Sequence, residues 1–243
     1  MAGKISNPKT IENKLRQVLS NPVAFIERLK IKSKSGKLIP LKMNDEQRIM
    51  IETFESHPDK HMVILKPRQI GSSTIVSAYL FWLWLTSKEP ITIAILSHKL
   101  ASSKHLLEMY FRFFDNLPPQ LQPPLEVRNT TSMRLPTGAT LLAVSAEGKG
   151  GLRSFSANYI HLSEFAFAPH ASELKATAIA SLNDGRLFQE STANTFGDPH
   201  HLDIMKAQKN EANLHLLFFP WHDHSEYKKK ATGYRRVVFD DDE

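Results

Sequence analysis

The chain has 243 residues, of which 41% are hydrophobic, and it contains no cysteine. This length corresponds to one large domain or two small ones and is sufficient to bury a core without disulfide bonds. The lack of cysteine excludes disulfides and metal sites that need cysteine ligands. The 31 Lys and Arg residues exceed the 25 Asp and Glu residues and give a net charge of +6, which suits a polyanionic partner without identifying one.

The sequence contains no segment typical of a membrane or secreted protein. The longest apolar stretch, residues 78–85, is too short to cross a bilayer. The first ten residues lack the apolar centre of a signal peptide. We therefore expect a protein that is not secreted and has no membrane partner.

Hydrophobic periodicity, turn residues and helix caps predict the elements in chain order. Asn44 and Gln47 have the spacing of a capping box at a helix start. Helices are expected at residues 10–19, 23–29, 44–56, 72–85, 99–114, 171–180 and 201–211. A hairpin is expected at 31–39 and strands at 61–65, 91–96, 125–129, 140–145, 159–162, 187–190 and 214–219. Short apolar strands that alternate with helices indicate an α/β fold with a mostly parallel central sheet flanked by helices.

A candidate phosphate-binding loop lies between the strand at 61–65 and the helix that follows it. Compared with the pattern G-x-x-x-x-G-K-[ST], Gly71 occupies the second glycine position and Ser73 the position of the Mg²⁺-binding hydroxyl. Lys66 replaces the first glycine and Ser72 replaces the lysine. Lys66 and Arg68 could supply the missing positive charge, although an ordinary strand-to-helix turn is the alternative. The loop consists of Lys66, Pro67, Arg68, Gln69, Ile70, Gly71, Ser72, Ser73 and Thr74.

Three further segments suit the same chemistry. The strand at 159–162 is followed by Ser163 and Glu164, where P-loop ATPases have an Asp for Mg²⁺ and a catalytic Glu; such a strand is expected beside the phosphate loop. Arg153 follows a glycine-rich segment and could reach a γ-phosphate. Polar residues after the strand at 187–190 could sense that phosphate; they are Ser191, Thr192, Ala193 and Asn194. Each of these segments alone could equally be an ordinary surface feature.

Taken together and in this order, the motifs resemble the N-terminal ATPase domain of the large terminase subunit, the DNA-packaging motor of tailed bacteriophages. The resemblance extends over residues 40–227 and includes Phe219-Pro220-Trp221 near its end. It implies a P-loop NTPase fold of the additional-strand, catalytic-glutamate type. Residues 1–39 would be accessory to this domain, and 228–243 a charged tail. The RNase H-like nuclease domain of the family would be absent, so no nuclease activity is expected from this chain.

The resemblance also implies a role for each matching residue, with ATP as the substrate and Mg²⁺ as the cofactor. Gln47 would contact the adenine, Lys66 would be a displaced phosphate-loop lysine, and Arg68 would support the phosphates or the loop geometry. Ser73 would bind Mg²⁺, with Ser163 as a further ligand, directly or through water.

Glu164 would be the catalytic carboxylate and Arg153 an arginine finger. Ser191, Thr192, Ala193 and Asn194 would couple hydrolysis to movement. The serine at position 163 departs from the acidic residue of the family pattern, so the sequence leaves open how Mg²⁺ is held.

The resemblance implies a motor that translocates double-stranded DNA, without sequence preference, into a preformed procapsid. The implied partners are the portal protein, the small terminase subunit and further copies of the chain in a ring, expected to be a pentamer. The implied location is the host bacterial cytoplasm, with transient docking at the portal. The alternatives are a helicase-like ATPase that acts on nucleic acid and a catalytically impaired nucleotide-binding assembly module.

Overall fold

The computed structural model describes residues 8–33, 35–97, 99–145 and 156–224. Arg153, the glycine-rich segment 148–151, the residues after 224 and hence the charged tail lie outside this part of the chain. The helices are α1 (Pro8–Leu19), α2 (Pro22–Ile26), α3 (Asp45–Ser56), α4 (Ser72–Thr86), α5 (Leu100–Asp115), α6 (Ala171–Ser181) and α7 (Pro199–Gln208). No helix in the described ranges is long and apolar enough to cross a membrane.

The strands form a small hairpin and one large sheet. The hairpin pairs β1 (Lys30–Lys32) with β2 (Leu38–Pro40). The sheet contains β3 (His61–Leu65), β4 (Thr92–Ser97), β5 (Val127–Arg128), β6 (Ser132–Arg134), β7 (Thr140–Ser145), β8 (Ala157–Ser163), β9 (Leu182–Ser191) and β10 (Leu214–Phe218). Its order is β10-β3-β9-β8-β4-β7-β6-β5, and every pairing from β10 to β7 is parallel. The predicted α/β class with a mostly parallel sheet is therefore confirmed.

Alternate residues of the central strands pack on opposite faces of the sheet. Ile93 and Ile95 of β4 belong to the larger core, which also contains residues of α2, α3, α4 and α5. Ala94 and Leu96 belong to a separate core with α6 residues. Helix α7 covers β3 and β10 through a third, smaller cluster. The sheet is thus buried on both faces, as the near-continuous apolar strands predict.

Some details of the sequence prediction were wrong. The short strand β6 was missed; it forms a hairpin with β7 and leaves an antiparallel edge on the parallel sheet. Helix α7 ends at Gln208 rather than at 211, because Asn210, Ala212 and Asn213 adopt positive φ values that a helix cannot contain. The strand β9 lies between the phosphate-loop strand β3 and β8, which is the order that the additional-strand type implies.

Candidate nucleotide-binding site

The predicted phosphate loop connects β3 to α4 and bends sharply. Gln69 and Gly71 have φ values of 62° and 77°, so the chain turns through two left-handed positions before the first helical residue, Ser72. The loop begins where the Lys66 amide donates a hydrogen bond of 3.2 Å to the Ser191 carbonyl on β9. Because the first amides of a helix lack partners within that helix, the start of α4 presents N–H donors of the kind that bind phosphate.

Two side chains of α3 and its cap hold the loop in this conformation. Asn44 Nδ2 donates to the Ile70 carbonyl at 3.3 Å. Gln47 Nε2 donates to the carbonyls of Ile70 and Gly71, each at 3.2 Å. A Cβ atom at Gly71 would lie 2.4 Å from Gln47 Nε2, so both the positive φ and the close contact require glycine. The contact of Gln47 with adenine stays a prediction.

Lys66 lies at the centre of the site with its ammonium group between two carboxylates. Its Nζ donates to Glu164 Oε1 at 2.7 Å and lies 3.1 Å from Glu190 Oε2, and only 5% of its side chain is exposed. Burial lowers the pKa of Lys66, but the charge of Glu190 and the hydrogen bond to Glu164 outweigh it and raise the pKa above its usual value. Arg68, in contrast, is exposed at the loop surface.

Glu164 follows the last residue of β8 in a left-handed conformation, with a φ of 53°. Such a backbone is uncommon for a residue with a side chain and is concentrated at functional sites. About a third of the side chain is exposed (34%), and it lines a cavity of about 550 Å³. The other lining residues of this cavity are Lys66, Arg68, Gln69, Phe167 and Thr192. This is a suitable size for a small-molecule site.

A second cavity of about 470 Å³ adjoins the first and shares Lys66, Arg68 and Thr192 with it. It is more apolar, because the chain after β10 contributes Phe219, Pro220 and Trp221. Trp221 is 68% exposed. The segment that the sequence analysis placed at the end of the domain therefore lines the loop from its other side.

The four predicted coupling residues lie at and after the end of β9, and two of them contact the segment that follows Glu164. The Ala166 amide donates to Ser191 Oγ at 3.2 Å, and Asn194 Nδ2 donates to the Ala166 carbonyl at 2.9 Å. Thr192 lines both cavities and Ala193 lines the second. The end of β9 is thus hydrogen-bonded to the short 3₁₀ helix Phe165–Phe167, one residue from Glu164.

Glu190, the next-to-last residue of β9, is the site residue that the sequence analysis missed. Its side chain is fully buried, and it accepts hydrogen bonds from three serine hydroxyls: Ser73 at 2.6 Å, Ser163 at 2.7 Å and Ser72 at 3.2 Å. The available signal was its position directly before Ser191, at a strand end that already carried a predicted motif. The family pattern has its acidic residue at position 163 and therefore does not indicate Glu190.

The carboxylate of Glu190 is stabilised in its ionised form. Burial raises its pKa, but His161, the charge of Lys66 and the hydrogen bond from Ser73 together lower the pKa below its usual range. His161 Nε2 lies 3.6 Å from Glu190 Oε1, too far for a good hydrogen bond, so its effect on the carboxylate is mainly electrostatic.

The fold and the site define a P-loop NTPase of the type in which a strand, here β9, separates the phosphate-loop strand from the strand that ends in the glutamate. The model of the family "Terminase large subunit, T4likevirus-type, N-terminal" matches residues 63–237. The chain belongs to this family, and the resemblance inferred from its motifs is confirmed.

Solved structures of large terminases share the fold. The large terminase of bacteriophage HK97 is 21% identical and superposes with a TM-score of 0.65 over 79% of this chain and 41% of that one. The large terminase of a thermophilic bacteriophage is 13% identical, with a TM-score of 0.59 over 78% of this chain and 48% of that one. A variant ATPase domain of the Thermus phage P74-26 large terminase is 15% identical, with a TM-score of 0.55 over 76% and 86%. This chain therefore spans less than half the length of the first two of these proteins.

Proposed function

We propose that this chain is the ATPase motor domain of a viral large terminase, which hydrolyses ATP with Mg²⁺ to translocate double-stranded DNA into a procapsid. The observation that carries the proposal is the convergence of a buried cation and a carboxylate on one cavity beside the predicted phosphate loop. Lys66 and Glu164 lie at the carboxyl ends of β3 and β8, and the first turn of α4 lies nearby, because Ser73 and Lys66 both contact Glu190 at the end of β9. This is the edge of a parallel sheet at which ligands bind.

The phosphates of ATP would occupy the cavity beside the loop. Backbone amides at the start of α4 and the ammonium group of Lys66 would neutralise them, and Arg68 lines the same cavity at its surface. Lys66 lies at the start of the loop, whereas the standard pattern has its lysine directly before the position of Ser73. The Nζ of Lys66 nevertheless reaches Glu164 at the end of β8. The large terminase of the thermophilic bacteriophage, which shares the fold, has been solved with ADP. The adenine of ATP would lie toward Gln47 or the second cavity.

Glu164 is proposed to accept the proton of the attacking water. The oxygen of that water bonds to the γ-phosphorus while the bond to the β–γ bridging oxygen breaks, which yields ADP and inorganic phosphate. Ser73 would be among the residues that hold Mg²⁺, and the ion would supply positive charge against the negative charge that develops on the phosphates. A γ-phosphate that attracts Lys66 would weaken its ion pair with Glu164 and leave that carboxylate available as the base.

Movement would follow from the contacts of the coupling residues. Loss of phosphate changes the environment of Thr192, and the hydrogen bonds of Ser191 and Asn194 to Ala166 connect that change to the segment after Glu164.

The further partners are part of the same proposal: double-stranded DNA, the portal protein, the small terminase subunit and a pentameric ring at the procapsid in the host cytoplasm. That the chain has no nuclease activity also stays a prediction, which incubation with plasmid DNA would test.

The proposal is tested by steady-state ATP turnover of the wild type and Glu164→Gln, with and without duplex DNA. Glu164→Gln should bind ATP but hydrolyse it roughly a hundredfold more slowly, the scale of losing a positioned base. Glu46→Gln is the matched control, because Glu46 is a partly buried carboxylate that pairs with His224.

The outcomes separate the alternatives. Nucleotide binding without turnover in the wild type, with or without DNA, would favour the assembly module. Stimulation by single strands or junctions rather than by duplex would favour the helicase-like ATPase. Loss of nucleotide affinity in Glu164→Gln, with normal turnover at saturation, would make Glu164 a binding residue rather than the base.

A further inference from the structure

The chain lacks a carboxylate at position 163, where the family pattern has one, but the structure places a carboxylate beside that position. Ser163, the last residue of β8, is directly paired with Glu190 in the parallel ladder between β8 and β9. Paired residues of adjacent strands point to the same face of a sheet, here the face covered by α4. Since β9 lies between β3 and β8, a side chain at its end reaches the phosphate loop and position 163 at once.

Glu190 makes the contact with Ser73 that an aspartate at position 163 would be expected to make. Oε1 accepts the hydroxyl of Ser73, the predicted Mg²⁺ ligand, at 2.6 Å, and the hydroxyl of Ser163 at 2.7 Å. Oε2 accepts the Ser72 hydroxyl at 3.2 Å and lies 3.1 Å from Lys66 Nζ. A fully buried carboxylate is stable only when it is well paired, and this one has four partners within 3.2 Å.

We propose that Glu190 replaces the missing acidic residue and positions Ser73 for Mg²⁺, an inference that rests on the proposed ATPase function. Glu190 accepts a hydrogen bond from the Ser73 hydroxyl. This bond orients the hydroxyl and leaves the lone pairs of its oxygen available to the cation. Glu190 is thus a positioning residue that acts on the metal through Ser73. Ser163 then holds Glu190 rather than binding Mg²⁺ itself, a different role from the one the sequence predicts.

A simpler interpretation is that Glu190 serves only as the counter-ion of Lys66. Both interpretations predict that Glu190→Gln is less stable, so stability does not separate them. They differ in the affinity for a divalent cation. If Glu190 is only the counter-ion of Lys66, its loss should change the affinity for nucleotide in the absence of metal. If Glu190 positions Ser73, its loss should lower the affinity for the cation, and this effect should require the Ser73 hydroxyl.

The test measures Mn²⁺ binding by electron paramagnetic resonance in the presence of a non-hydrolysable ATP analogue, together with analogue affinity in EDTA. Glu190→Gln should bind Mn²⁺ at least about tenfold more weakly, the usual scale for loss of a residue that orients a metal ligand. Glu46→Gln should bind it normally. In a Ser73→Ala background, Glu190→Gln should cause no further loss of Mn²⁺ affinity, because the two residues act in series.

A relocation variant keeps the test decisive if Glu190→Gln does not fold. Ser163→Asp combined with Glu190→Gln returns the carboxylate to β8 and should restore Mn²⁺ affinity close to the wild-type value. Three results would overturn the inference: unchanged Mn²⁺ affinity in folded Glu190→Gln, losses that add to those of Ser73→Ala, or weak Mn²⁺ binding by a folded relocation variant. None of these would contradict the proposed ATPase function if the wild type turns over ATP. A wild type that binds neither the analogue nor Mn²⁺ would overturn the proposed function as well.

Discussion

Lys66 determines much of the electrostatics of the site, because its ammonium group lies within 3.1 Å of both Glu164 and Glu190. The sequence favoured Lys66 as the phosphate-loop lysine but left open whether Lys66 or Arg68 makes the key phosphate contact. The structure separates them by burial, since Lys66 is enclosed by carboxylates while Arg68 is exposed. A buried cation that is already directed at the predicted catalytic residue is the better candidate for the main phosphate contact.

Lys66→Ala should therefore abolish ATP hydrolysis and also lower the free energy of unfolding. Breaking a buried ion pair by removing one partner costs about 3–5 kcal/mol, because the remaining charge loses its compensation. Turnover assays and urea denaturation would measure the two effects. Lys66→Arg is the control that retains the charge and should retain most of the stability. Near-normal turnover in Lys66→Ala, with Arg68→Ala inactive, would assign the phosphate contact to Arg68.

At the scale of elements, the sequence predicts what depends on local pattern. The capping box of Asn44 and Gln47, strand β3 and the start of α4 were predicted to the residue, because caps, apolar runs and glycines act within a few positions. The order of strands in the sheet is not local. The insertion of β9 between β3 and β8, which brings Glu190 to Ser73, depends on packing across more than a hundred residues and could not be read from spacing.

Gly71→Ala should weaken nucleotide binding by distorting the start of α4. The added Cβ would lie 2.4 Å from Gln47 Nε2, and alanine is disfavoured at a φ of 77°. Gly36→Ala is a matched control, because Gly36 has a φ of 81° but no atom within 4 Å of the added Cβ. Both variants should lose about 1 kcal/mol from the backbone, whereas only Gly71→Ala should also lose affinity for a fluorescent ATP analogue. Equal affinities in the two variants would contradict the role assigned to the Gln47 contact.

Helix α7 provides a test at low pH. His200 is buried beside Gln189, whose Nε2 lies 3.2 Å from His200 Nδ1. Burial lowers the pKa of His200 below its usual value of 6.5, against the opposing charges of Asp198, Asp203 and Glu190. The unfolded chain thus takes up a proton more readily than the folded one.

The stability that neutral His200 contributes is present above pH 6.5 and is lost as the pH falls from there toward the lower pKa of the folded state. Urea denaturation at pH 8 and pH 5 should therefore show a larger loss of stability for the wild type than for His200→Gln. His61 and His215, whose pKa values burial also lowers, remain in both proteins and cancel in the comparison. An identical loss in the two proteins would mean that folding does not change the pKa of His200.

At the scale of the whole molecule, the net charge of +6 suits the polyanionic partner of the proposed function. The charge alone does not locate a DNA surface, and this chain matches only 41% of the length of the HK97 protein. Arg153 allows a direct test of whether neighbouring copies of the chain act together in hydrolysis. Three of the five residues at 147–151, shortly before Arg153, are glycines.

We predict that Arg153, which lies outside the described residues, acts on the ATP of a neighbouring subunit. The transition state of phosphoryl transfer needs additional positive charge, and an arginine supplied from a neighbour raises the rate by orders of magnitude. Arg153→Ala subunits retain Glu164, and Glu164→Gln subunits retain Arg153. If the finger acts between subunits, mixed rings of the two should recover ATP hydrolysis that neither variant has alone, since some interfaces combine both intact residues. Mass spectrometry would establish that the rings are mixed. As a control, Lys66→Ala mixed with Glu164→Gln should recover no activity, because both residues are assigned to the same site of one subunit. Full activity of Arg153→Ala alone, or no recovery in mixed rings, would show that hydrolysis does not depend on an arginine donated between subunits.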